Sequence, residues 1–492
     1  MSYVVKGNIK DWEAVIGLEV HCQIISKSKL FSSSSAEFGA DPNKHVSFFD
    51  AGMPGMLPVV NVECLRQAVK TGYGLNATIN KRSVFDRKSY FYADLPSGYQ
   101  ITQNFYPIVQ NGYIDILDDQ GSKKRIRINR LHVEQDAGKS IHDLHPSKTY
   151  IDLNRAGVGL MEIVSEPDMS SPTEVMNYLR KLRQIVRYLG TCDGNMDEGS
   201  MRCDVNVSVR PVGQKEFGIR AEVKNVNSVK FAGLAVEFEI NRQIKILENG
   251  EQVVQETRLF NPSTGETRSM RTKENANDYR YFPDPDLLPV ILSDEFLNSV
   301  KNEMPELPDV KIERLINDYS IMPYDAKVIA DEKAIADYFE DAVNFSKHKN
   351  GKMICNLMMT ELFAWLNKNQ LSIENSFITA YQVADVSDLL IDNVISGKIA
   401  KDLFKLLAED DSVRSKSIID IINLKGWLQV SDMSIIENAV SKVIENNKSN
   451  WDELKSGKDK LIGWFVGQAM REMKGKGNPG IIAEILNKKM KE

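Results

Sequence analysis

Carboxylates fall in four segments of the first half of the chain: GLEVH at 17–21, LHVEQDAGK at 131–139, MRCDVNVSVR at 201–210 and IRAEVKN at 219–225. Strand side chains alternate between faces, so Glu19 with His21, Glu134 with Asp136, Asp204 with Asn206, and Glu222 with Lys224 each share a side if these segments are strands. Carboxylates with one imidazole and no thiolate suit a hard cation, Mg²⁺ or Mn²⁺, better than structural zinc. The expected ligands are Glu19, His21 and one or more of Glu134, Asp204 and Glu222. A solvated, salt-bridged sheet face is the simpler account of any one segment; four together point to a site.

The elements that must position these groups are legible in the spacing. Met201, Cys203, Val205, Val207 and Val209 alternate with Arg202, Asp204, Asn206, Ser208 and Arg210, the pattern of a half-buried strand. Ile219, Ala221 and Val223 alternate likewise, and the intervening PVGQKEFG carries turn residues, so an antiparallel hairpin is expected. Its polar face places Asp204 near Glu222, which requires a cation between them: Lys224, Arg202 or a metal. At 86–103, DRKSYFYADLPSGYQITQ interleaves Arg87 and Lys88 with tyrosines, a combination able to hold a phosphate and stack a base.

Composition sets the frame. A chain of 492 residues with 42% hydrophobic content is expected to hold two to four globular domains. No run of eighteen apolar residues occurs and the N-terminus lacks a signal or transit pattern, so no membrane span and a cytoplasmic location are expected. The five cysteines show no CxxC and read as reduced packing residues. Net charge is −6, against general nucleic-acid binding, yet nine basic residues face four acidic ones from Lys455 to Glu492. Strand-like text runs to about residue 290 and helical periodicity follows, giving expected domains at 1–295, 296–410 and 411–492. Gly475, Gly477 and Gly480 have dinucleotide-fingerprint spacing, but they follow a helix and Pro479 interrupts them, so a helix–turn–helix corner is expected. A Walker A motif is absent.

VIGLEVH, FDRKSYFYADLPSGYQI, GYIDI, RLHVEQDAGKS, DLNRAG, EIVSEPD, EGSMRCDVNVSVR, EVKNVNS, ETRLF and DYRYFPDPDL occur in this order. Together they resemble the B subunit of the bacterial aspartyl/glutamyl-tRNA amidotransferase, over essentially the whole chain. The resemblance implies an α+β fold: a cradle domain of antiparallel sheet with flanking helices, then an all-helical domain and a helical YqeY-like tail. It also implies an activity. ATP and Mg²⁺ serve to phosphorylate the side-chain carboxyl of Glu on tRNA(Gln) or Asp on tRNA(Asn), and ammonia then displaces phosphate. The ammonia comes from glutamine hydrolysed in an amidase A subunit, and a small C subunit completes the heterotrimer.

Carried onto this sequence, the family site implies metal ligands Glu19, His21, Glu134, Asp204 and Glu222, with Glu134, Asp204, Glu222 and Lys88 as catalytic groups. Lys88, Ser200, Arg202 and Lys224 fall in motifs expected to contact phosphate or substrate. The chain itself shows no amidase signature and no cysteine in an amidotransferase setting, so it needs an ammonia source. Three positions depart from the family pattern: Gln135 where a second Glu is usual, Val158-Gly159-Leu160 where a small residue, Pro and Leu follow DLNRxG, and Gly477 in place of Ala. Two other classes fit part of the sequence: a stand-alone ATP-dependent carboxylate-activating ligase, and a non-catalytic tRNA-binding scaffold.

Overall fold

The computed structural model describes residues 3–272, 279–428, 433–458 and 460–491. It divides into two compact units, Met1–Pro308 and Asp309–Glu492.

Among the described residues the first unit is built on sixteen strands: β1 (Val5–Lys6), β2 (Asp11–Gln23), β3 (Thr78–Ile79), β4 (Arg82–Ser89), β5 (Tyr99–Tyr106), β6 (Val109–Leu117), β7 (Lys123–Gln135), β8 (Lys139–Ile141), β9 (Tyr150–Asp152), β10 (Gly159–Ser165), β11 (Met201–Pro211), β12 (Ala221–Val226), β13 (Glu256–Asn261), β14 (Glu266–Thr272), β15 (Phe282–Pro283) and β16 (Val290–Ile291). A ten-stranded sheet runs β14-β13-β12-β11-β2-β10-β7-β6-β3, with β1 added to β2. All its pairs are antiparallel except β12 with β13. A smaller sheet joins β15, β4 and β16, with β5 on β4, and β8 pairs with β9.

One face of the large sheet is apolar because alternate residues are: Ile16, Leu18, Val20 and Cys22 on β2 and Cys203, Val205 and Val207 on β11 are buried together. Three helices close over it, α1 (Val62–Gly74), α2 (Pro172–Leu189) and α3 (Val229–Glu248), contributing Val69, Leu182 and Val236 to the same core. Their starts are fixed by side chains that accept backbone N–H groups, Asn61 from Glu63, Ser171 from Glu174 and Ser228 from Phe231. Each such cap stabilises by about 1 kcal/mol. Helix α2 stops at Gly190, whose left-handed φ of 67° disfavours other residues. With helices on one side, the other face of β2, β10, β11 and β12 is left for polar side chains.

Among the described residues the regular elements of the second unit are helices. Two clusters of apolar side chains lie within it, one spanning Leu315 to Ile422 and one spanning Ile436 to Leu486. Trp451 and Trp464 belong with the second, and Trp427 packs against the first. Gly475 and Gly477 lie at the corner between helices Leu461–Glu472 and Pro479–Lys491, and Gly480 in the first turn of the latter, as expected for a helix–turn–helix. No helix among the described residues is long and apolar enough to cross a membrane, and the five cysteines are free and buried.

Candidate functional site

Strand register assembles the polar face. On β2 and β11, Asp204 lies opposite Glu19, Arg202 opposite His21 and Asn206 opposite Gly17. On the other flank Glu162 of β10 lies opposite both His21 and His132 of β7. The expected hairpin of β11 and β12 is present, with a register shift between Cys203 and Val205 that the alternation alone does not show. Asn206 therefore pairs with Glu222, and Lys224 reaches Asp204.

The expected ligands fall into two groups. Single carboxylate oxygens of Glu19, Asp204 and Glu222 lie within 4.8 Å of one another, and ligand atoms of His21, Glu134 and Glu162 do the same. In the first group Lys224 Nζ is 2.5 Å from Asp204 Oδ2 and 3.1 Å from Glu222 Oε1, the cation that two facing carboxylates require. Burial opposes the Lys224 charge, but those two carboxylates outweigh it and its pKa rises. Glu19 is pushed above the usual carboxylate range by burial and then by the charges of Glu162, Glu222 and Asp204, which Lys224 only partly offsets. An all-oxygen triad with a surplus of negative charge fits a hard divalent ion.

The second group is more buried. His21 Nε2 lies 3.3 Å and His132 Nε2 3.4 Å from Glu162 Oε2, and His132 Nε2 is 3.5 Å from Glu134 Oε2. Thr102 donates to Glu134 Oε2 at 3.0 Å. Burial depresses both imidazoles, but the carboxylates prevail and His132 is held at about 9, with His21 also raised. Glu162 is correspondingly held well below its ordinary value despite burial, chiefly by His132. Lys88 of β4 stands over the rings of Tyr279 and Tyr90, 5.0 and 5.8 Å from their centroids. Burial works against its charge, and Glu134 leads the groups that keep it protonated.

This face of two carboxylate clusters next to a caged lysine belongs to a matched region. Residues 14–298 match the GatB/GatE catalytic domain family, and 337–490 match the GatB domain family. Over 490 residues the chain is 53% identical to the B subunit of the aspartyl/glutamyl-tRNA(Asn/Gln) amidotransferase of Rickettsia rickettsii (strain Sheila Smith), covering all of both chains. The corresponding protein of Paramagnetospirillum magneticum (strain ATCC 700264 / AMB-1) is equally similar, at 53% over 490 residues and the full length of each. The chain belongs to the family of amidotransferase B subunits.

Among the residues that the family resemblance singles out, Arg202 is committed to Asp136, its Nη2 lying 3.0 Å from Oδ2, while its buried Nε has no hydrogen-bond partner among the described residues. Asp136 also takes Gln23 Nε2 at 3.1 Å, so it acts as an anchor between β2, β7 and β11. The Ser200 hydroxyl donates to Asp193 Oδ2 at 3.1 Å, in the turn entering β11. Gln135, one of the three departures from the family pattern, accepts at its backbone oxygen from Gln100 Nε2 at 2.8 Å and donates from Nε2 to the Tyr99 oxygen. It ties β7 to β5.

Two site residues escaped the sequence reading. His132 makes the imidazoles two rather than one, and it shares a face with Glu134 by the same alternation that found Glu134. Glu162 lies in the apolar strand GLMEIVS, where a lone buried carboxylate signals a partner.

Proposed function

We propose that this chain uses ATP and Mg²⁺ to activate the side-chain carboxyl of Glu on misacylated tRNA(Gln), or of Asp on tRNA(Asn), for amidation in the cytoplasm. Ammonia reaches it from an amidase A subunit, and a small C subunit completes the assembly. The division 1–295, 296–410 and 411–492 assigns carboxyl activation to the first segment and tRNA contact to the last.

The observation that carries this reading is the pair of adjacent ligand clusters on one sheet face, bordered by Lys88 and Lys224. A carboxylate oxygen attacks the γ-phosphorus and ADP departs, leaving an acyl phosphate; ammonia then attacks the acyl carbon, the amide forms and inorganic phosphate leaves. Bringing two anions together needs positive charge at the transferring group. A divalent ion held by Glu19, Asp204 and Glu222 would supply part of it. Lys224 supplies more, and with no ion it offsets the mutual repulsion of the three carboxylates. On the other side His21 and Glu162 orient Glu134 through His132. Glu134 takes the proton that ammonia loses, and His132 first, then Lys88, keeps Glu134 ionised against burial and ready to do so.

The experiment uses the assembled enzyme with misacylated tRNA, ATP and ammonium chloride in place of glutamine, with the amidase partner disabled. Amide should form, and Asp204→Ala or Glu222→Ala should abolish it. Full activity of either variant would overturn the placement.

A further inference from the structure

Five aromatic rings follow one another along the small sheet: Tyr92 and Tyr90 after β4, Tyr279 and Tyr281 before β15, and Phe105 on β5. Successive centroids are 5.9, 6.1, 5.9 and 6.3 Å apart, and each pair meets edge to face. That packing holds each ring against its neighbour while leaving ring faces uncovered. The backbone is committed to it. The Ser89 N–H donates to the Tyr279 oxygen at 2.9 Å, which fixes the 279–281 segment beside β4. Arg280, between the two tyrosines, takes a left-handed φ of 46°, a conformation that a residue with a side chain adopts only at a cost. The ends of the run are open: Tyr92 is 59% and Phe105 57% exposed, with Phe91 and Tyr106 exposed beside them. Cations accompany the rings. Lys88 stands over Tyr90 and Tyr279 at the middle, and the Arg82 guanidinium lies 5.2 Å from the Tyr106 centroid.

We propose that this run of rings seats the unpaired 3′ end of the tRNA by stacking its bases, an inference that rests on the tRNA-dependent reading above. Exposed aromatics on a fixed frame mark an interaction surface. Rings interleaved with cations match single-stranded nucleic acid, in which every base presents a π-face and the backbone carries the negative charge. Paired nucleotides cannot bind this way, because their faces are already stacked in the duplex. The position of the run singles out the end of the tRNA. Glu134 is the foremost charge acting on Lys88, so the middle of the run adjoins the group that the esterified side chain must reach. The nucleotides that carry the ester then lie over the rings on either side. Stacking reads no base edge, which suits tRNA(Gln) and tRNA(Asn) alike, since both end in the unpaired triplet C-C-A. It also sets a requirement: the seat is filled by several unpaired nucleotides, and the terminal adenosine alone leaves the outer rings bare.

The test measures binding of two probes to the assembled enzyme, the 3′ glutamyl ester of adenosine and the 3′ glutamyl ester of the trinucleotide C-C-A. It compares wild type with the pair Tyr92→Ala and Phe105→Ala in one chain, and with the pair Tyr92→Trp and Phe105→Trp. Both side chains are more than half exposed, so their truncation is expected to leave the fold intact. Wild type should bind the trinucleotide ester about tenfold or more tighter than the adenosine ester, the gain of stacking further bases. The alanine pair should lose that advantage and raise KM for misacylated tRNA more than it lowers kcat, whereas the tryptophan pair should keep both near wild type. An undiminished advantage in the alanine pair, or no advantage in wild type, overturns the seat and leaves the activity standing. Amide from neither the esters nor misacylated tRNA in wild type, with ATP and ammonium supplied, overturns the tRNA-dependent reading itself. Failure of the alanine pair to assemble with the amidase partner would make the rings a protein interface and overturn the proposal.

Discussion

Replacing Glu162 with glutamine keeps the side chain's shape and removes the negative charge that lies 3.3 Å from His21 Nε2 and 3.4 Å from His132 Nε2. Burial alone would hold His132 below 6.5, yet it stands at about 9, with Glu162 the foremost of the groups that raise it. The difference between 6.5 and about 9 corresponds to roughly 3 kcal/mol favouring the imidazolium. Glu162→Gln should forfeit more than half of that, about 2 kcal/mol, because Glu134 remains and the imidazole escapes the rest by shedding its proton. A raised histidine contributes stability fully below its unfolded value of 6.5 and loses it as pH rises through 9; the depressed Glu162 contributes above 4.5 and loses it as pH falls. The window is therefore about pH 4.5 to 9. With six histidines in the chain, ¹³C-histidine NMR on chelator-treated protein resolves the titration. The His132 signal should titrate near 9 in the wild type and, by the same conversion, at about 7.5 in the variant, and the gap in thermal midpoint should be widest near pH 6 and gone by about pH 10. An unmoved His132 titration, or a midpoint gap independent of pH, would refute the reasoning.

Lys224→Met removes the ammonium between Asp204 and Glu222, at about 1–2 kcal/mol once the side chain's one-third exposure is discounted. Added Mg²⁺ should then raise the thermal midpoint more than in the wild type; an equal rise would count against carboxylate repulsion. Glu248 accepts the N–H groups of Asn8 and Ile9 at 2.9 and 3.0 Å, and these bonds depress it from 4.5 to about 2. Its contribution is present above 4.5 and lost as pH falls to 2, so Glu248→Gln should flatten the acid limb of the melting curve in that interval only. In the tail, reversing Arg471, Lys474 and Lys476 to Glu should raise KM for misacylated tRNA and lower the salt slope by about one for each phosphate left unneutralised. Unchanged affinity across a salt series would move tRNA contact elsewhere in the chain.

Alternation was enough to place Glu19, His21, Asp204 and Glu222 on one face, because each lies in a strand buried on one side only. It was not enough for Glu162: β10 has helices behind it and polar neighbours in front, and its residues are buried on both faces, so the period-two signal vanishes. The register shift between Cys203 and Val205 was equally invisible, since a bulge changes pairing without changing composition. The split of the ligands into two clusters follows from strand order, β12, β11 and β2 carrying one and β2, β10 and β7 the other. Lys88 was visible as a cation among tyrosines, but its approach to Glu134 depends on a second sheet folding beside the first, a long-range fact that no local pattern encodes. The helical second unit was legible from three- and four-residue spacing, while the packing of Trp427 with the earlier helices was not.

The central claim is that the tRNA-borne carboxyl is phosphorylated before it is amidated. Misacylated tRNA carrying glutamate labelled with ¹⁸O in its side-chain carboxyl, turned over by the assembled enzyme with ATP and ammonium, tests it directly. Mass analysis of the inorganic phosphate should find one ¹⁸O per amide formed, because the carboxylate oxygen that attacked phosphorus leaves with it. Unlabelled phosphate at full amide yield would contradict the account.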